Sequence, residues 1–235
     1  MASSPTKMQG LIQGKRKQRD QVVVSCFDLT GTMVKPWAEA GYECHIVDIQ
    51  HPQKCATEGN VTKWGMDVYE WEPVFFSQHS DKVERVLFAS FSPPCTDLAV
   101  SGARWFEQKE SDNPGTRERA MSLVYWSDRM GKKFGCPYFI ENPVSVISSE
   151  WRKPDCFFHP YEYGGYVGGS GDGYTKKTCL WTGGQFSLPP KKAIPLDKKT
   201  SERIWRMAPS AERQNLRSKT PLGFAQAVFE SLILL

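Results

Sequence analysis

Residues 86–95 have the sequence VLFASFSPPC, in which an apolar run stops abruptly at a serine, two prolines and a cysteine. The residues from Val86 to Phe91 are apolar or small, a composition typical of a strand buried on both faces of a parallel sheet. Because proline cannot continue such a strand, the chain must turn at Pro93 and Pro94. The run therefore predicts a strand whose end holds Cys95 in a stiff turn.

Similar apolar runs recur along the chain and alternate with segments of helical spacing. Strands are predicted at residues 22–27, 44–49, 60–64, 138–140, 156–158 and 178–181. Helices are predicted up to residue 40, from the Asn-Pro-Gly turn at residues 113–115 to about residue 133, and over residues 224–234. Strands that alternate with helices indicate an α/β fold with a mostly parallel, doubly wound sheet. Ligands of such sheets bind beyond the carboxyl ends of the strands.

Length and composition limit the classes of protein that this chain can belong to. With 235 residues it has the size of one domain, or two at most. Seven cysteines without a CxxC pair speak against a disulfide framework and favour a reducing, cytoplasmic location. We find neither an apolar run of membrane-spanning length nor a secretory signal, so no membrane association is expected.

Residues 1–20 are polar, lack periodicity and contain Lys15, Arg16, Lys17 and Arg19. This segment is predicted to be a flexible basic tail, either simply solvated or in contact with phosphates. The net charge of +4 for the whole chain permits nucleic-acid binding without requiring it.

Two other predicted strands end in residues that suit ligand binding. The first strand runs into Asp28 and Gly31, where a glycine lets a ligand approach the backbone, and the second ends at Asp48, an acid that can hold ribose hydroxyls. Glu141 follows the strand at residues 138–140, one crossover after Cys95, so the two strand ends should be neighbours. An acid beside a nucleophile can act as a general acid. Taken singly, each feature is also compatible with an ordinary turn, a buried thiol or a surface acid.

Together these segments resemble the cytosine C5 methyltransferase family, in particular the small members found in phages and prophages. Residues 27–31, FDLTG, resemble the motif D-L-F-S-G, and residues 65–68, GMDV, resemble the segment G-D-I. Residues 92–104, SPPCTDLAVSGAR, resemble P-P-C-Q-x-F-S-x-x-G-x-R, and residues 141–143, ENP, resemble E-N-V. Residues 174–178, YTKKT, stand where the family has Q-x-R-x-R. The match covers residues 22–183.

The resemblance implies a Rossmann-like fold that uses S-adenosyl-L-methionine (SAM) and needs no metal. Cys95 would attack C6 of cytosine, Glu141 would hold N3 and the amino group, and Arg104 or Lys176 would add positive charge near the base or its phosphate. A base in a duplex would have to be flipped out of the stack. The implied SAM-binding residues are Phe27, Asp28, Leu29, Gly31, Asp48, Ile49, Asp67, Val68 and Pro94.

The sequence also departs from the family pattern. Thr96 and Ala99 replace the usual Gln and Ser, and of the Q-x-R-x-R cations only Lys176 is in register. We expect residues 21–235 to form a single methyltransferase domain without a separate target-recognition domain. A possible zinc site from His51, Cys55 and His79 lacks the ligand pairing that such sites have.

Three functions therefore stay open at the level of sequence. The first is a DNA enzyme of relaxed or short-site specificity in a bacterial or phage-infected cytoplasm, with a partner protein that aids recognition. A basic stretch formed by Lys191, Lys192, Lys198, Lys199 and Arg203 favours it. The second is an enzyme that modifies a free cytosine nucleotide such as dCMP. The third is a non-catalytic protein that binds SAM or a partner. The glycine-rich residues 164–173 form either a lid or a simple connection.

Overall fold

The computed structural model describes residues 20–168, 171–196 and 218–234, and within them the chain forms a sheet of eight strands. The strands lie in the order β3-β4-β2-β1-β5-β6-β8-β7. Their bounds are β1 (Val22–Cys26), β2 (Glu43–Val47), β3 (Ala56–Glu58), β4 (Val61–Trp64), β5 (Val86–Phe91), β6 (Tyr138–Pro143), β7 (Cys156–Phe158) and β8 (Thr178–Gly183). The basic residues 15–19 and Lys198, Lys199 and Arg203 lie outside the described residues.

The middle of the sheet is parallel and reverses its strand order at one point. β4, β2, β1, β5 and β6 pair in parallel, whereas β3 and β8 pair with their neighbours in the antiparallel sense. The chain proceeds from β1 to β2 on one side, and β5 then pairs with the other side of β1. The carboxyl ends of β1 and β5 therefore border the switch point at which such sheets bind ligands. The predicted Rossmann-like, mostly parallel α/β sheet is confirmed.

Helices cover both faces of the sheet, as a doubly wound fold requires. They are α1 (Lys35–Glu39), α2 (Val68–Gln78), α3 (Ser80–Val83), α4 (Phe106–Asp112), α5 (Thr116–Phe134), α6 (Ile147–Glu150) and α7 (Leu222–Ile233), with 3-10 helices at Val100–Trp105, Pro160–Glu162 and Gly164–Val167. No helix in the described part of the chain combines the length and apolar character needed to cross a bilayer.

Two hydrophobic cores result from the alternation of side chains along the strands. In β1, Val22 and Val24 pack into one core with residues of α2 and α5, and Val23 packs into the other with residues of α1 and α7. This follows because successive side chains of a strand point to opposite faces. Both cores are rich in aromatic rings, among them Trp37 on one face and Trp71 on the other, each without exposed surface.

Several boundaries differ from the sequence prediction. The strand predicted at residues 44–49 ends at Val47, and the first helix begins only at Lys35. Helices α2 and α4 were not predicted. Pro73 inside α2 obscures the helical pattern, but the helix accommodates it in its second turn. The long helix α5 and strand β5 lie where the sequence predicted them.

Candidate active site

The three segments singled out at strand ends lie on three adjacent strands. β1 pairs with β5 up to Cys26 and Phe91, and β5 pairs with β6 at Phe91 and Ile140. Because all three strands run in parallel, the residues that follow them meet at one edge of the sheet. The prediction that the Cys95 and Glu141 strand ends are neighbours is therefore confirmed.

The loop that carries Cys95 is held by both strand ends. The Asn142 side-chain amide donates a hydrogen bond from Nδ2 to the carbonyl oxygen of Pro93 at 2.9 Å. Within the loop, the backbone N–H groups of Leu98 and Ala99 donate to the Cys95 carbonyl at 3.1 and 2.8 Å. Pro93 and Leu98 are buried, so the turn is anchored on both sides of the cysteine.

A second set of backbone contacts joins the loop to the segment after β6. The Val100 N–H donates to the Val144 carbonyl at 3.1 Å, and the Val146 N–H donates to the Leu98 carbonyl at 2.9 Å. Ala99 and Ser145 form the isolated bridge between the two segments. The residues after Cys95 and after Glu141 thus form one rigid frame.

Cys95 is partly exposed, unlike most cysteines of the described chain. Cys26, Cys44, Cys136 and Cys179 are buried. Burial raises the pKa of Cys44 and of Cys136 to about 12, which keeps these thiols protonated at neutral pH. Among the cysteines near the strand ends, Cys95 has the accessibility that a nucleophile needs.

Glu141 carries a carboxylate oxygen that accepts no hydrogen bond from the described residues. This atom, Oε1, is buried, and it forms an ion pair with the Lys176 ammonium at 3.6 Å. Both side chains are less than one-fifth exposed. A buried acceptor without a donor is costly unless a ligand supplies one, so Glu141 is arranged to receive a hydrogen bond.

Glu141 and Lys176 line a narrow pocket at the carboxyl edge of the sheet. Its other walls come from β5, β6, β7, β8, the loop before α1 and the start of α7. The lining residues are Met33, Ser90, Ser92, Phe139, Glu141, Phe158, Lys176, Thr178, Ser218, Thr220, Pro221 and Phe224. Cys95 is not one of them and lies on the adjoining loop. The resemblance implied that the C-terminal helix completes the SAM site, but no sequence pattern singled out Thr220, Pro221 or Phe224, which line this pocket at the start of α7.

The loop after β1 has a backbone conformation that side chains rarely adopt. Phe27 has φ of 60° and Gly31 has φ of 65°. A non-glycine residue in this left-handed region costs about 1 kcal/mol, and such strain concentrates at functional sites. The Phe27 ring packs edge-to-face against Trp126, with centroids 6.1 Å apart, so tertiary packing compensates for the strain.

The Asp28 carboxylate shapes this loop from within. Oδ1 accepts hydrogen bonds from the Gly31 and Thr30 N–H groups at 2.7 and 3.1 Å, and Oδ2 accepts from the Ser25 hydroxyl at 2.9 Å. Ser90 of β5 donates in turn to Ser25 at 2.8 Å. Burial raises the pKa of Asp28, and the hydrogen bonds act in the opposite direction. The Asp28 carboxylate thus holds the backbone of residues 28–31 in place at the switch point. Leu29 and Gly31 lie within this loop.

The segment after β2 presents an acid beside an exposed apolar side chain. Asp48 accepts a hydrogen bond from the Gln50 N–H at 2.8 Å through Oδ1, and its Oδ2 has no hydrogen-bond partner in the described chain. Ile49 is 71% exposed. A carboxylate for ribose hydroxyls and an apolar surface for a base are the features that a nucleoside requires.

The remaining predicted site residues are used in different ways. Asp67 caps α2 by accepting from the Tyr69 N–H at 2.8 Å, and Val68 is buried in the core, so its side chain serves packing. Pro94 is exposed on the Cys95 turn. Arg104 is exposed and stacks on Trp105, with its guanidinium carbon 5.1 Å from the ring centroid. Of the two predicted cations, the structure thus brings Lys176, and not Arg104, to Glu141. Within the described ranges, no three His, Cys, Asp or Glu side chains are grouped to hold a metal ion.

Comparison with known proteins gives matches among solved structures alone. No protein-family model and no curated protein matches the chain. Among solved structures, one similar chain is an E. coli protein encoded within a prophage and provisionally assigned as a DNA modification methyltransferase. It is 13% identical, with a TM-score of 0.48, over 81% of this chain and 56% of its own length. This chain thus spans little more than half of that protein.

Proposed function

We propose that this protein is a SAM-dependent methyltransferase that transfers a methyl group to C5 of cytosine in DNA, with Cys95 as the nucleophile. The observation that carries the proposal is the joint presentation of Cys95 and Glu141. Cys95 lies on the loop after β5 and Glu141 lies in the second half of the adjacent parallel strand β6, and the hydrogen bond from Asn142 to Pro93 joins the two strand ends. A thiol and a carboxylate in this arrangement suit covalent catalysis on a heterocyclic base.

The residues present fit the proposed cofactor. The strained backbone at Phe27, the loop held by Asp28, the carboxylate of Asp48 and the exposed Ile49 lie after β1 and β2, on the side of the switch point away from Glu141. They would hold the nucleoside portion of SAM. When bound, SAM supplies an electrophilic methyl group. This division leaves the ends of β5 and β6 for the base.

In the proposed mechanism the chain activates a carbon that is not nucleophilic by itself. The Cys95 thiolate adds to C6 of cytosine, and C5 becomes an enamine carbon that accepts the methyl group. Glu141 supplies the proton that N3 takes up as the thiolate adds, and it accepts a hydrogen bond from the exocyclic amino group, which together stabilise the adduct; N3 returns the proton when the adduct collapses. Lys176, 3.6 Å from Glu141 Oε1, fixes the orientation of this carboxyl group and adds positive charge. A base then removes the C5 proton, the C6–S bond breaks, and Cys95 leaves as thiolate.

The test is an assay with radiolabelled SAM on two substrates, cytosine-containing duplex DNA and dCMP. Cys95→Ser is compared with Cys55→Ser, a matched change at an exposed cysteine outside the site. Label in DNA that disappears in Cys95→Ser and persists in Cys55→Ser is the expected result. Label in dCMP alone would show that the substrate is a free nucleotide and not DNA. SAM binding without label in either substrate would contradict catalysis and favour a binding protein.

A further inference from the structure

Hydrogen bonds between side chains lead from the Glu141 pocket to a second carboxylate. Ser90, which lines the pocket, donates from its hydroxyl to the Ser25 hydroxyl at 2.8 Å. Ser25 donates in turn to Oδ2 of Asp28 at 2.9 Å. All three side chains are more than nine-tenths buried. We name these three residues the Ser90–Asp28 network.

Strand pairing places the first residue of the network on the same face of the sheet as Glu141. Ser90 of β5 is opposite Ser25 of β1 on one side and opposite Phe139 of β6 on the other. Glu141 lies two residues after Phe139, so the side chains of these two residues point to one face of the sheet. Ser90, Phe139 and Glu141 all line the pocket. The network therefore begins in the pocket that contains the carboxylate proposed to hold the base.

The network ends at a carboxylate oxygen that can take up a proton while the loop around it stays in place. Oδ1 of Asp28 accepts from the N–H groups of Thr30 and Gly31, whereas Oδ2 accepts from Ser25 alone among the described residues. A proton on Oδ2 would only reverse the hydrogen bond with Ser25, because a hydroxyl both donates and accepts. Burial raises the pKa of Asp28, which favours the uptake of a proton there.

The Ser90 oxygen can accept a hydrogen bond in addition to the one that it donates. A hydroxyl oxygen has two lone pairs, and no described residue donates to that of Ser90. Thr178, another hydroxyl of the pocket, donates to the Lys176 carbonyl at 3.2 Å, a group that takes up no proton at neutral pH. Ser90 differs from Thr178 in that its hydrogen bonds lead to a carboxylate.

We infer that Ser90 is the catalytic residue that receives the C5 proton, and that Ser25 passes a proton on to Asp28. The inference rests on the proposed function and deepens it, because the reaction requires a base. After methyl transfer, the electron pair of the C5–H bond forms the C5=C6 double bond, and the pair of the C6–S bond returns to Cys95. The Ser90 oxygen takes the proton and gives its own to Ser25, which gives its own to Oδ2 of Asp28. Once the product has left, the reverse transfers release the proton to water.

Three variants interrupt the network at different points. Ser90→Ala and Ser25→Ala each remove one hydroxyl. Asp28→Asn keeps an acceptor for the N–H groups of the loop, but its amide nitrogen replaces Oδ2 and takes up no proton. The matched control is Ser127→Ala, which removes an equally buried hydroxyl of α5 that donates to a backbone carbonyl.

The experiment separates removal of the C5 proton from the steps that precede it. Release of tritium from duplex DNA that is tritiated at C5 of cytosine reports the removal of this proton. Labelled methyl groups from SAM that stay attached to denatured protein through DNA report an adduct that has been methylated but not resolved. SAM affinity, KM for DNA and thermal unfolding are measured in parallel for every variant.

Tritium release is expected to fall about a hundredfold in each variant of the network, the usual contribution of a general base. The methylated adduct on Cys95 should accumulate, and deuterium at C5 should slow turnover more than in the wild type, because proton removal then limits the rate. SAM affinity and KM for DNA should stay close to those of the wild type, as should every property of Ser127→Ala.

Wild-type tritium release in Ser90→Ala would overturn the inference. A fall that is accompanied by equally weakened SAM binding, without accumulation of adduct, would also overturn it, because the network would then only support the cofactor loop. A wild-type protein that forms no adduct with DNA and releases no tritium would instead refute the proposed function, and the inference with it.

Discussion

A single amide, that of Asn142, joins the strand ends that carry Cys95 and Glu141. Its side chain is 1% exposed and donates to the Pro93 carbonyl at 2.9 Å. Further along, backbone hydrogen bonds at Leu98 and Val100 join the same loop to the segment that follows β6. Asn142 is therefore a positioning residue: it touches neither the base nor the cofactor in the proposed mechanism, but it fixes the thiol relative to the carboxylate.

Asn142→Asp is expected to lower the methylation rate at least tenfold. The change keeps the shape of the side chain but removes its donor, so the Pro93 carbonyl is left without its partner and the loop loses its fixed position. Unfolding in urea should show a loss of about 1–3 kcal/mol. Asn113→Asp, at an exposed position after α4, is the control. A wild-type rate in Asn142→Asp would contradict the positioning role.

The backbone at Phe27 is expected to prefer glycine. Phe27→Gly and Phe27→Ala both remove the ring that packs on Trp126, but only alanine retains a Cβ atom that conflicts with φ of 60°. The glycine variant should therefore be more stable than the alanine variant by about 1 kcal/mol, measured by chemical denaturation. The reverse order is typical of positions with ordinary backbone and would show that the loop relaxes in solution.

At the residue scale, the sequence indicated several residues of the candidate site. The features that it did not indicate depend on backbone conformation and on strand pairing. Cys95 and Glu141 were predicted because they follow apolar runs that must be strands, and strand ends in such folds carry ligands. The strain at Phe27 was not predictable, since phenylalanine rarely adopts the left-handed conformation and its presence gives no indication of one. The pairing of Lys176 with Glu141 depends on β8 running antiparallel beside β6, which no local pattern encodes.

At the scale of elements, one carboxylate ties α2 to α5. Glu72 accepts hydrogen bonds from Trp126 Nε1 at 2.9 Å and from the two terminal nitrogens of Arg129 at 2.8 and 2.6 Å. Lys133 adds an ion pair at 3.3 Å. These contacts, the bond with Arg129 foremost, lower the pKa of Glu72 to about 2. Helix α2, which was not predicted from the sequence, is thereby fixed against α5, which was.

Glu72→Gln is expected to reduce both stability at neutral pH and sensitivity to acid. A carboxyl group whose pKa falls on folding adds stability above its unfolded pKa of about 4.3. That stability disappears as the pH drops toward about 2, where the folded group takes up its proton. The variant should lose about 1 kcal/mol at pH 7 and show a flatter decline in unfolding free energy between pH 4.5 and 2. Glu70→Gln, in the first turn of the same helix, should leave the profile of the wild type.

At the scale of the whole molecule, α7 completes both a core and the candidate pocket. Phe224 is 1% exposed and stacks on Phe158 of β7 with centroids 3.9 Å apart, while Tyr163 contacts it edge-on at 5.2 Å. The same ring lines the pocket that contains Glu141. The sequence predicted the helix from its apolar pattern, and the resemblance implied only that it completes the SAM site; its stacking on Phe158 is set by long-range packing.

Phe224→Ala is expected to cost about 3–5 kcal/mol of unfolding free energy, as burial of the ring is lost and a cavity forms. The enlarged pocket should also hold its ligand less tightly, so KM should rise at temperatures where the variant remains folded. Leu234→Ala, at an 81% exposed position after α7, is the control and should change stability by less than about 0.5 kcal/mol. Equal stability of the two variants would show that α7 is not integral to the core.

The central claim is that the Cys95 sulfur bonds to C6 of a cytosine, and a substrate that cannot complete the reaction tests it most directly. In DNA that contains 5-fluorocytosine, C5 carries fluorine in place of the proton that must leave after methyl transfer, so the adduct cannot resolve. Incubation with SAM, followed by digestion and mass spectrometry, should find the methylated, fluorinated nucleotide attached to the peptide that contains Cys95. Cys95→Ser should give no adduct. Methylation of ordinary cytosine without any trapped complex, or an adduct on another cysteine, would contradict the account.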